Sequence, residues 1–261
     1  MSGVVVFVGA GPGAADLITL RGLRRLAQAD VVLFDSLTDP ALRNFAPHAT
    51  WIDVGKRGFC HATGQAATNA LLVRHARQHT CVVRLKGGDP SVFGRLEEEL
   101  AALAQAGIGC EVVPGVTAAT AAAADTRRPL TRRGRGRSVS LITAMTHEGQ
   151  ITVNGPRSDT EVYYMAGRQL AALGRRLQAA GWPADTPVCV VSRAGWPDSL
   201  SSDHPLHGLA GAACLHAGRP TVVTVGAGAT ATATATALAT GFVARAAVAD
   251  ALASRAVAPA T

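Results

Sequence analysis

Short hydrophobic runs alternate along the chain with segments of helical periodicity. The first run, residues 4–8, is rich in β-branched side chains and has no polar position, which is typical of a parallel strand buried on both faces. Leu20, Leu23 and Leu26 follow at helical spacing, and Val31–Phe34 forms the next run. This order of strand, helix and strand predicts a βαβ unit and an α/β fold.

The same alternation continues through two halves of the chain. Further strands are predicted to begin at residues 52, 82, 110, 138, 161, 187 and 220, and helices to span 65–78, 96–105, 118–124 and 169–179. Because the pattern starts again after an arginine-rich stretch, residues 1–134 and 135–228 are predicted to form two α/β domains. Residues 229–261 begin with an Ala/Thr alternation, are helical at 242–256, and are expected to form a linker or a partly disordered tail.

Composition limits the kinds of protein that this sequence can encode. Hydrophobic residues make up 48% of the chain and aromatic residues only 4%, so the core must consist mainly of Ala, Val and Leu. No apolar run reaches the length of about 18 residues that indicates a membrane span, and the N-terminus lacks the basic segment of a signal peptide. The five cysteines are far apart and form no Cys-x-x-Cys pair. We therefore expect no metal site and no disulfide framework, and the cytoplasm is the expected location.

The net charge of +7 points to an anionic partner. Much of this charge lies in one stretch, which contains Arg127, Arg128, Arg132, Arg133, Arg135 and Arg137. Arginine forms planar, bidentate contacts with carboxylates and phosphates, but a solvated loop or a nucleic-acid patch would have the same composition. Charge alone leaves nucleic acid, a phosphate compound and a polycarboxylate open as partners.

Two glycine-rich segments follow predicted strands and carry candidate chemistry. Residues 82–86 run into Gly87-Gly88-Asp89-Pro90, a turn whose backbone a ligand can approach closely because glycine has no Cβ. The first strand runs into residues 9–14, which satisfy a relaxed dinucleotide-binding pattern, and Asp35 ends the second strand where a ribose ligand is expected. Pro12 is unusual for that pattern, so a simple turn and a nucleotide loop both stay open.

Further motifs accompany these loops in order along the chain. They are the segment 30–35, Val54-Gly55-Lys56-Arg57, Phe93-Gly94-Arg95, the segment 112–117, Pro129-Leu130-Thr131 and Tyr164-Met165. Together with the two glycine loops, they resemble the tetrapyrrole methylase superfamily, densely over residues 4–133 and more thinly to about residue 227. The chain departs from the family pattern at Leu96, Arg132-Arg133, residues 143–147 and Ala166.

The resemblance implies two α/β domains with S-adenosylmethionine in the cleft between them, and a homodimer. The positions that it implies for cofactor binding are Pro12, Gly87, Gly88, Asp89, Val92, Thr117, Ala118, Met165 and Gly195. Asp35 matches the family's proton acceptor, and Lys56 matches its proton donor. The positions expected to bind an anionic substrate are Arg84, Arg95, Arg132 and Arg133. No metal is expected.

The activity implied by the resemblance is methyl transfer to C2 and then C7 of uroporphyrinogen III, giving precorrin-2, a step of sirohaem and cobalamin biosynthesis. This substrate is a polycarboxylate, which would account for the basic charge and makes nucleic acid the less favoured partner. Two alternatives stay open within the superfamily, namely methylation of a later corrin precursor and methylation of an rRNA ribose. A third, of another class, is a binding protein or oxidoreductase that holds a dinucleotide on residues 9–14.

Overall fold

The computed structural model describes residues 3–55, 64–144 and 158–231. Within these ranges the chain forms two five-stranded sheets with helices packed on them, so the predicted α/β fold is confirmed. Lys56, residues 145–147 and the predicted helix at 242–256 lie outside the described residues. None of the described helices is both long enough and apolar enough to cross a membrane.

The first sheet is parallel throughout and has the strand order β3-β2-β4-β1-β5. Its strands are β1 (Val4–Gly9), β2 (Val31–Phe34), β3 (Thr50–Asp53), β4 (Cys81–Lys86) and β5 (Cys110–Val113), and between them in sequence lie α1 (Leu20–Leu26), α2 (Gln65–Gln78) and α3 (Leu96–Gln105). Val6 lies in a hydrophobic cluster with Leu26 of α1, whereas Phe7 lies in another with Leu72 of α2 and Leu103 of α3. Burial on both faces explains why β1 has no polar position.

The second sheet is mixed and has the strand order β6-β7-β10-β8-β9. Its strands are β6 (Val139–Thr143), β7 (Thr160–Tyr164), β8 (Pro187–Ser192), β9 (Leu200–Pro205) and β10 (Thr221–Gly226). Only β6 and β7 are parallel among these neighbours. One face is covered by α5 (Leu170–Ala179) through Leu173 and Leu177, with the short α6 (Ala212–Leu215) beside it.

The edge strand β9 is the one element of this sheet that the sequence pattern does not predict. Its sequence, Leu-Ser-Ser-Asp-His-Pro, contains no apolar run. Its residues alternate between half-buried and exposed positions, because an edge strand with one solvated face needs few hydrophobic side chains.

The helix α4 (Ala118–Thr126) joins the two halves of the molecule. Its residues Ala119 and Ala122 lie in one hydrophobic cluster with Val162 and Val222 of the second sheet, because small side chains let the helix approach closely. The domain boundary at residues 134 and 135 stays a prediction, and α4, which precedes that boundary, packs with the domain that follows it.

The beginning of the predicted tail is packed against the second domain. A short 3-10 helix spans Ala227–Ala229, and the side chain of Ala229 is buried in the cluster that contains Ala119. Arg128 Nη1 donates a hydrogen bond of 2.8 Å to the carbonyl oxygen of Ala229. Ala229 is therefore packed against the second domain; the expectation of a linker or a partly disordered tail over 229–261 stays a prediction, because residues 232–261 lie outside the described part of the chain.

Candidate functional site

Three loops meet at the carboxyl edge of the first sheet. Strands β4, β1 and β5 are adjacent and parallel, so the loops after them lie at the same edge. Gly11 and Gly88 form an isolated antiparallel bridge: Gly88 N donates to Gly11 O at 2.8 Å, and Gly11 N to Gly88 O at 3.3 Å. In open parallel sheets this edge is where ligands bind.

Close backbone packing holds the three loops together. A Cβ on Gly115 would lie 2.3 Å from Gly88 O, and one on Gly9 would lie 2.5 Å from the Cα of Gly115, so neither position has room for a side chain. The Asp89 carboxylate accepts hydrogen bonds from Ser91 N at 2.7 Å and from Gly115 N at 2.8 Å. Asp89 therefore braces the loop after β4 against the loop after β5, and each of its oxygens keeps a lone pair for a ligand.

The backbone of Gly87 and Gly88 is open on its outer side. Gly88 has a φ of +72°, and a Cβ placed there would have no heavy atom within 4 Å. A Cβ on Gly87 would meet only the Cβ of Leu37, at 3.5 Å. A ligand atom at either Cβ position would therefore displace no described side chain.

Side chains at the end of β7, in the residue before α4 and in the loop after β4 form the facing wall. Thr117 Oγ1 and Tyr164 Oη are hydrogen-bonded at 2.7 Å, and Tyr164 Oη also accepts from Ala119 N at 3.2 Å. The Phe93 ring lies 5.0 Å from the Tyr164 ring. Phe93 and Met165 have left-handed φ values of 52° and 58° and are 43% and 50% exposed. Strained backbone that presents exposed apolar side chains is typical of functional sites.

Pro12 and Gly195, which are distant in sequence, are in contact. Trp196 Nε1 donates to Pro12 O at 3.1 Å, and Ala14 N donates to Gly195 O at 3.0 Å. Gly195 has a φ of +79°, and its N–H donates to the Asp125 carboxylate of α4 at 2.8 Å. The second domain therefore closes on the first glycine loop through Gly195.

The remaining positions implied for the cofactor lie near this wall. Val92 and Ala118 both pack against the hydrophobic cluster of α4 and the second sheet. The structure thus brings the nine implied positions to the loops after β1, β4, β5, β7 and β8 and to the first residue of α4.

Asp35 follows β2 and is ion-paired with Arg84 of the neighbouring strand. Arg84 Nη2 lies 2.6 Å from Asp35 Oδ1, and the Asp35 side chain is 31% exposed. Arg84 Nε also pairs with Glu99 of α3 at 2.9 Å, and Lys86 Nζ lies 2.6 Å from the other oxygen of Glu99. These four side chains form an ion cluster that runs from the sheet edge into the interior.

The expected substrate contact of Arg84 is not supported by this geometry. Its side chain is only 6% exposed, and all three guanidinium nitrogens bond to the protein: Nε to Glu99, Nη2 to Asp35, and Nη1 to the carbonyl oxygens of Leu33 and Leu85. Every guanidinium nitrogen of Arg84 therefore already has a partner inside the protein, and the contact with substrate stays a prediction.

The other basic candidates have different surroundings. Arg95 is half exposed and makes a bidentate pair with Glu98, at 2.8 and 2.7 Å. Arg132 donates to the carbonyl oxygen of Thr230, and Arg133 is exposed on the turn that follows. Arg95 and Arg133 therefore have side chains that a substrate could reach, whereas Lys56 lies outside the described residues.

Glu99 is the site residue that the sequence analysis did not single out. As one of three acidic residues at the start of α3, it suggests only a favourable interaction with the helix dipole. It lies four residues before the buried Leu103, however, and so shares the buried helix face with it. A carboxylate on such a face requires a buried cation, which is the feature that could have identified it.

No group of three or more His, Cys, Asp and Glu side chains in the described ranges is arranged to hold a metal ion.

Glycine loops at the carboxyl edge of a parallel sheet, closed by a second α/β domain, define a two-domain α/β enzyme with its ligand cleft between the domains. The sequence profile of the family described as "Tetrapyrrole (Corrin/Porphyrin) Methylases" matches residues 4–210. The chain belongs to this family and is a methyltransferase. The dinucleotide interpretation of residues 9–14 is not retained, because this segment lies within the matched region.

Individual proteins that are similar to this chain are consistent with its membership of this family. The chain is 40% identical over 234 residues to a uroporphyrinogen-III C-methyltransferase of Pseudomonas aeruginosa, covering 87% of this chain and 94% of that protein. It is 45% identical over 196 residues to siroheme synthase 1 of Aeromonas hydrophila, covering 73% of this chain but only 42% of that protein. A solved Thermus thermophilus uroporphyrin-III C-methyltransferase, complexed with S-adenosylhomocysteine, has a TM-score of 0.74 and 35% identity, covering 86% of this chain and 97% of that one.

Proposed function

We propose that this protein transfers methyl groups from S-adenosylmethionine to C2 and C7 of uroporphyrinogen III and so forms precorrin-2. Family membership supports the reaction class, and the names of the relatives support the substrate. The observation that carries the proposal is the open Gly87–Gly88 backbone, which lies one strand from Asp35 at the edge of the sheet. A methyl donor held there would be beside a carboxylate able to accept a proton.

The exposed backbone of Gly87 and Gly88 fits the cofactor. The open space over Gly87 and Gly88 admits a ligand against bare backbone, and a single Cβ at Gly88 would occupy part of that space. Residues proposed to hold the cofactor are Pro12, Gly87, Gly88, Asp89, Val92, Thr117, Ala118, Met165 and Gly195. When bound, S-adenosylmethionine supplies an electrophilic methyl group.

The protein's own side chains would position the substrate and move its protons. Asp35 is proposed to accept the proton that the macrocycle loses after one of its carbons is methylated, and Arg84 orients the Asp35 carboxylate through the 2.6 Å ion pair. Lys56 is proposed as the proton donor. No covalent enzyme intermediate is required, so catalysis rests on in-line placement, exclusion of water and proton transfer.

The carboxylates of the proposed substrate require basic side chains around the cleft to bind them. Arg95, exposed on the loop before α3, is the strongest candidate; Arg132 and Arg133 are retained in the proposal, although Arg132 lies beside Asp159 and Gly226, at the end of β7 opposite Met165. Arg95 would have to exchange its pair with Glu98 for a substrate carboxylate, which costs little at an exposed site. The exposed ring of Phe93 and the exposed thioether of Met165 offer an apolar surface for a planar macrocycle.

The resemblance also supports two wider features. We include in the proposal a homodimer, which analytical ultracentrifugation would test, and a cytoplasmic location. The absence of Cys-x-x-Cys pairs in the sequence is compatible with a reducing compartment.

The proposal predicts that the protein adds two methyl groups to uroporphyrinogen III. The assay is anaerobic, with the substrate generated in place and with labelled S-adenosylmethionine, and the product is identified after oxidation by mass and absorbance. Asp35→Asn, which keeps the shape but loses the charge of the proton acceptor, should lower kcat by about 100-fold, in line with the usual contribution of a general base.

A matched control separates this effect from a general loss of charge. Asp185→Asn alters an acidic residue whose side chain is 92% exposed in the second domain, and should leave turnover unchanged. One added methyl group, or activity only on a later corrin precursor or an rRNA, would assign the protein to a different substrate of the family. Failure to bind S-adenosylmethionine would overturn the proposal.

A further inference from the structure

We infer that Glu99, which does not reach the cleft, is a positioning residue for methyl transfer: it fixes Asp35 through Arg84 and the Phe93–Arg95 loop through Lys86. The inference rests on the proposed function, since it assumes that Asp35 acts on the substrate. It adds an internal residue of α3 to the site, and it gives Arg84 a role other than substrate binding.

Glu99 is completely buried and uses both carboxylate oxygens. Oε1 accepts from Arg84 Nε at 2.9 Å and from Gln65 Nε2 at 3.3 Å, and Oε2 accepts from Lys86 Nζ at 2.6 Å. Among the described side chains of the cluster, two cations face two carboxylates, Glu99 and Asp35. Of the two described carboxylates, only Glu99 is fully buried, and it pairs with both cations, whereas Asp35 pairs with Arg84 alone.

The first arm of the cluster leads from Glu99 to Asp35. The Arg84 guanidinium is planar, so its bond from Nε to Glu99 fixes the plane in which Nη2 meets Asp35 Oδ1. Bonds from Nη1 to Leu33 O and Leu85 O hold the same plane from the strand backbone. Without the Glu99 carboxylate, Arg84 would lose one of these restraints and the orientation of Asp35 would become less defined.

The second arm leads from Glu99 to the loop before α3. The Lys86 side chain is 3% exposed, and its Cε would lie 3.1 Å from a Cβ on Gly94, so the lysine stem lies directly beneath that loop. Burial lowers the pKa of Lys86, and the neighbouring Arg84 lowers it further, whereas Glu99 opposes both effects. Phe93 and Arg95, on either side of Gly94, have left-handed φ values of 52° and 54°. A loop in this conformation needs a firm support below it.

The test compares substitutions of Glu99 with a neighbour on the same helix. Glu99→Gln keeps the side-chain shape and removes the charge, and is expected to lower kcat by about 10- to 100-fold, with the cofactor dissociation constant changing less than about 3-fold. Glu99→Asp keeps the charge but shortens the reach, and should retain more stability than Glu99→Gln while losing part of the rate. Glu97→Gln, on the exposed turn of α3, should match the wild type in rate and stability.

A double-mutant cycle distinguishes positioning from simple loss of structure. If Glu99 acts in part through Asp35, adding Glu99→Gln to Asp35→Asn should lower kcat by clearly less than Glu99→Gln does in the wild type, and the remaining loss reports the arm through Lys86. Additive losses would overturn the inference, as would an active wild type in which Asp35→Asn has no effect.

Crystal structures separate failure of the inference from failure of the proposed function. Glu99→Gln, or Glu99→Asp should the first variant not fold, is expected to show a displaced or disordered Asp35 carboxylate. This readout needs no turnover, so it applies even if the wild type proves inactive on uroporphyrinogen III. An Asp35 carboxylate that keeps its wild-type position in these variants would overturn the inference.

Discussion

Gly88 and Gly107 have similar left-handed backbones but different surroundings. Their φ values are +72° and +68°, and a Cβ on either would have no heavy atom within 4 Å. Gly88 faces the cleft beside the glycine loops, whereas Gly107 follows the end of α3. Substitutions at the two positions can therefore be compared to distinguish the effect of backbone strain from an effect on ligand binding.

We expect Gly88→Ala and Gly107→Ala to destabilise the protein by a similar amount, about 1 kcal/mol each, because an L side chain disfavours this conformation. Only Gly88→Ala should weaken binding of S-adenosylhomocysteine, by about 10-fold or more, because its methyl group enters the space proposed for the cofactor. Thermal unfolding and titration calorimetry measure the two effects. Equal affinities in the two variants would contradict the proposed placement.

Arg84 illustrates the limit of residue-level prediction. Its position before a glycine loop, in a basic chain, suggests a substrate contact. Its actual partners, Asp35 and Glu99, lie 49 and 15 residues away in sequence. Only the pairing of β4 with β2 and the packing of α3 bring these charges together, so the sequence alone does not show which side chains Arg84 pairs with.

At the scale of elements, α4 links the cofactor loops to the second domain. Its Asp125 carboxylate accepts hydrogen bonds from Gly195 N and from Ser199 Oγ, both at 2.8 Å. Gly195 in turn accepts from Ala14 N in the loop after β1. The helix therefore holds the β8–β9 connection in contact with the first glycine loop.

Asp125→Ala should release this connection. Because hydrogen bonds to a charged group contribute about 1.5–3 kcal/mol each, we expect a lower melting temperature and about 10-fold weaker binding of S-adenosylhomocysteine. Differential scanning calorimetry and binding titration provide the measurements. Asp185→Ala, at a largely exposed position, serves as the control and should change neither quantity. Unchanged affinity in Asp125→Ala would show that the connection holds its place without α4.

At the scale of the whole molecule, His216 connects several elements of the second domain. It is fully buried after α6; its Nδ1 is hydrogen-bonded to Ser192 of β8 at 2.5 Å, and its Nε2 to Ser202 of β9 at 2.8 Å. Burial lowers the pKa of His216, and the nearby charges of His204 and Arg219 lower it further. The folded protein thus binds a proton here less readily than the unfolded chain does.

Folding stability should consequently fall as the pH decreases below about 6.5, the ordinary pKa of histidine in the unfolded chain. The loss, at most about 1.4 kcal/mol per pH unit for this group, continues down to the lowered pKa of the folded state. His216→Asn should be less stable at pH 7 but should show a smaller decrease between pH 7 and about 5.5 in chemical denaturation. His207→Asn, at an exposed position, should keep the wild-type slope. Equal slopes in all three proteins would contradict this assignment.

The sequence by itself determined the α/β class, most of the strands and helices, and the glycine loops. These features depend on local properties: apolar runs where a strand is buried on both faces, helical periodicity, and glycine where the backbone must be bare. The motif order also indicated the family, which the comparisons confirm.

Only the tertiary structure decided which side chains share the site. It added the edge strand β9, whose solvated face leaves no apolar pattern, and placed α4 against the second sheet. It placed Arg84, a predicted substrate contact, in a buried ion cluster with Glu99. The physical reason is that burial and ion pairing arise between elements far apart in sequence, and no local pattern records which charges will meet.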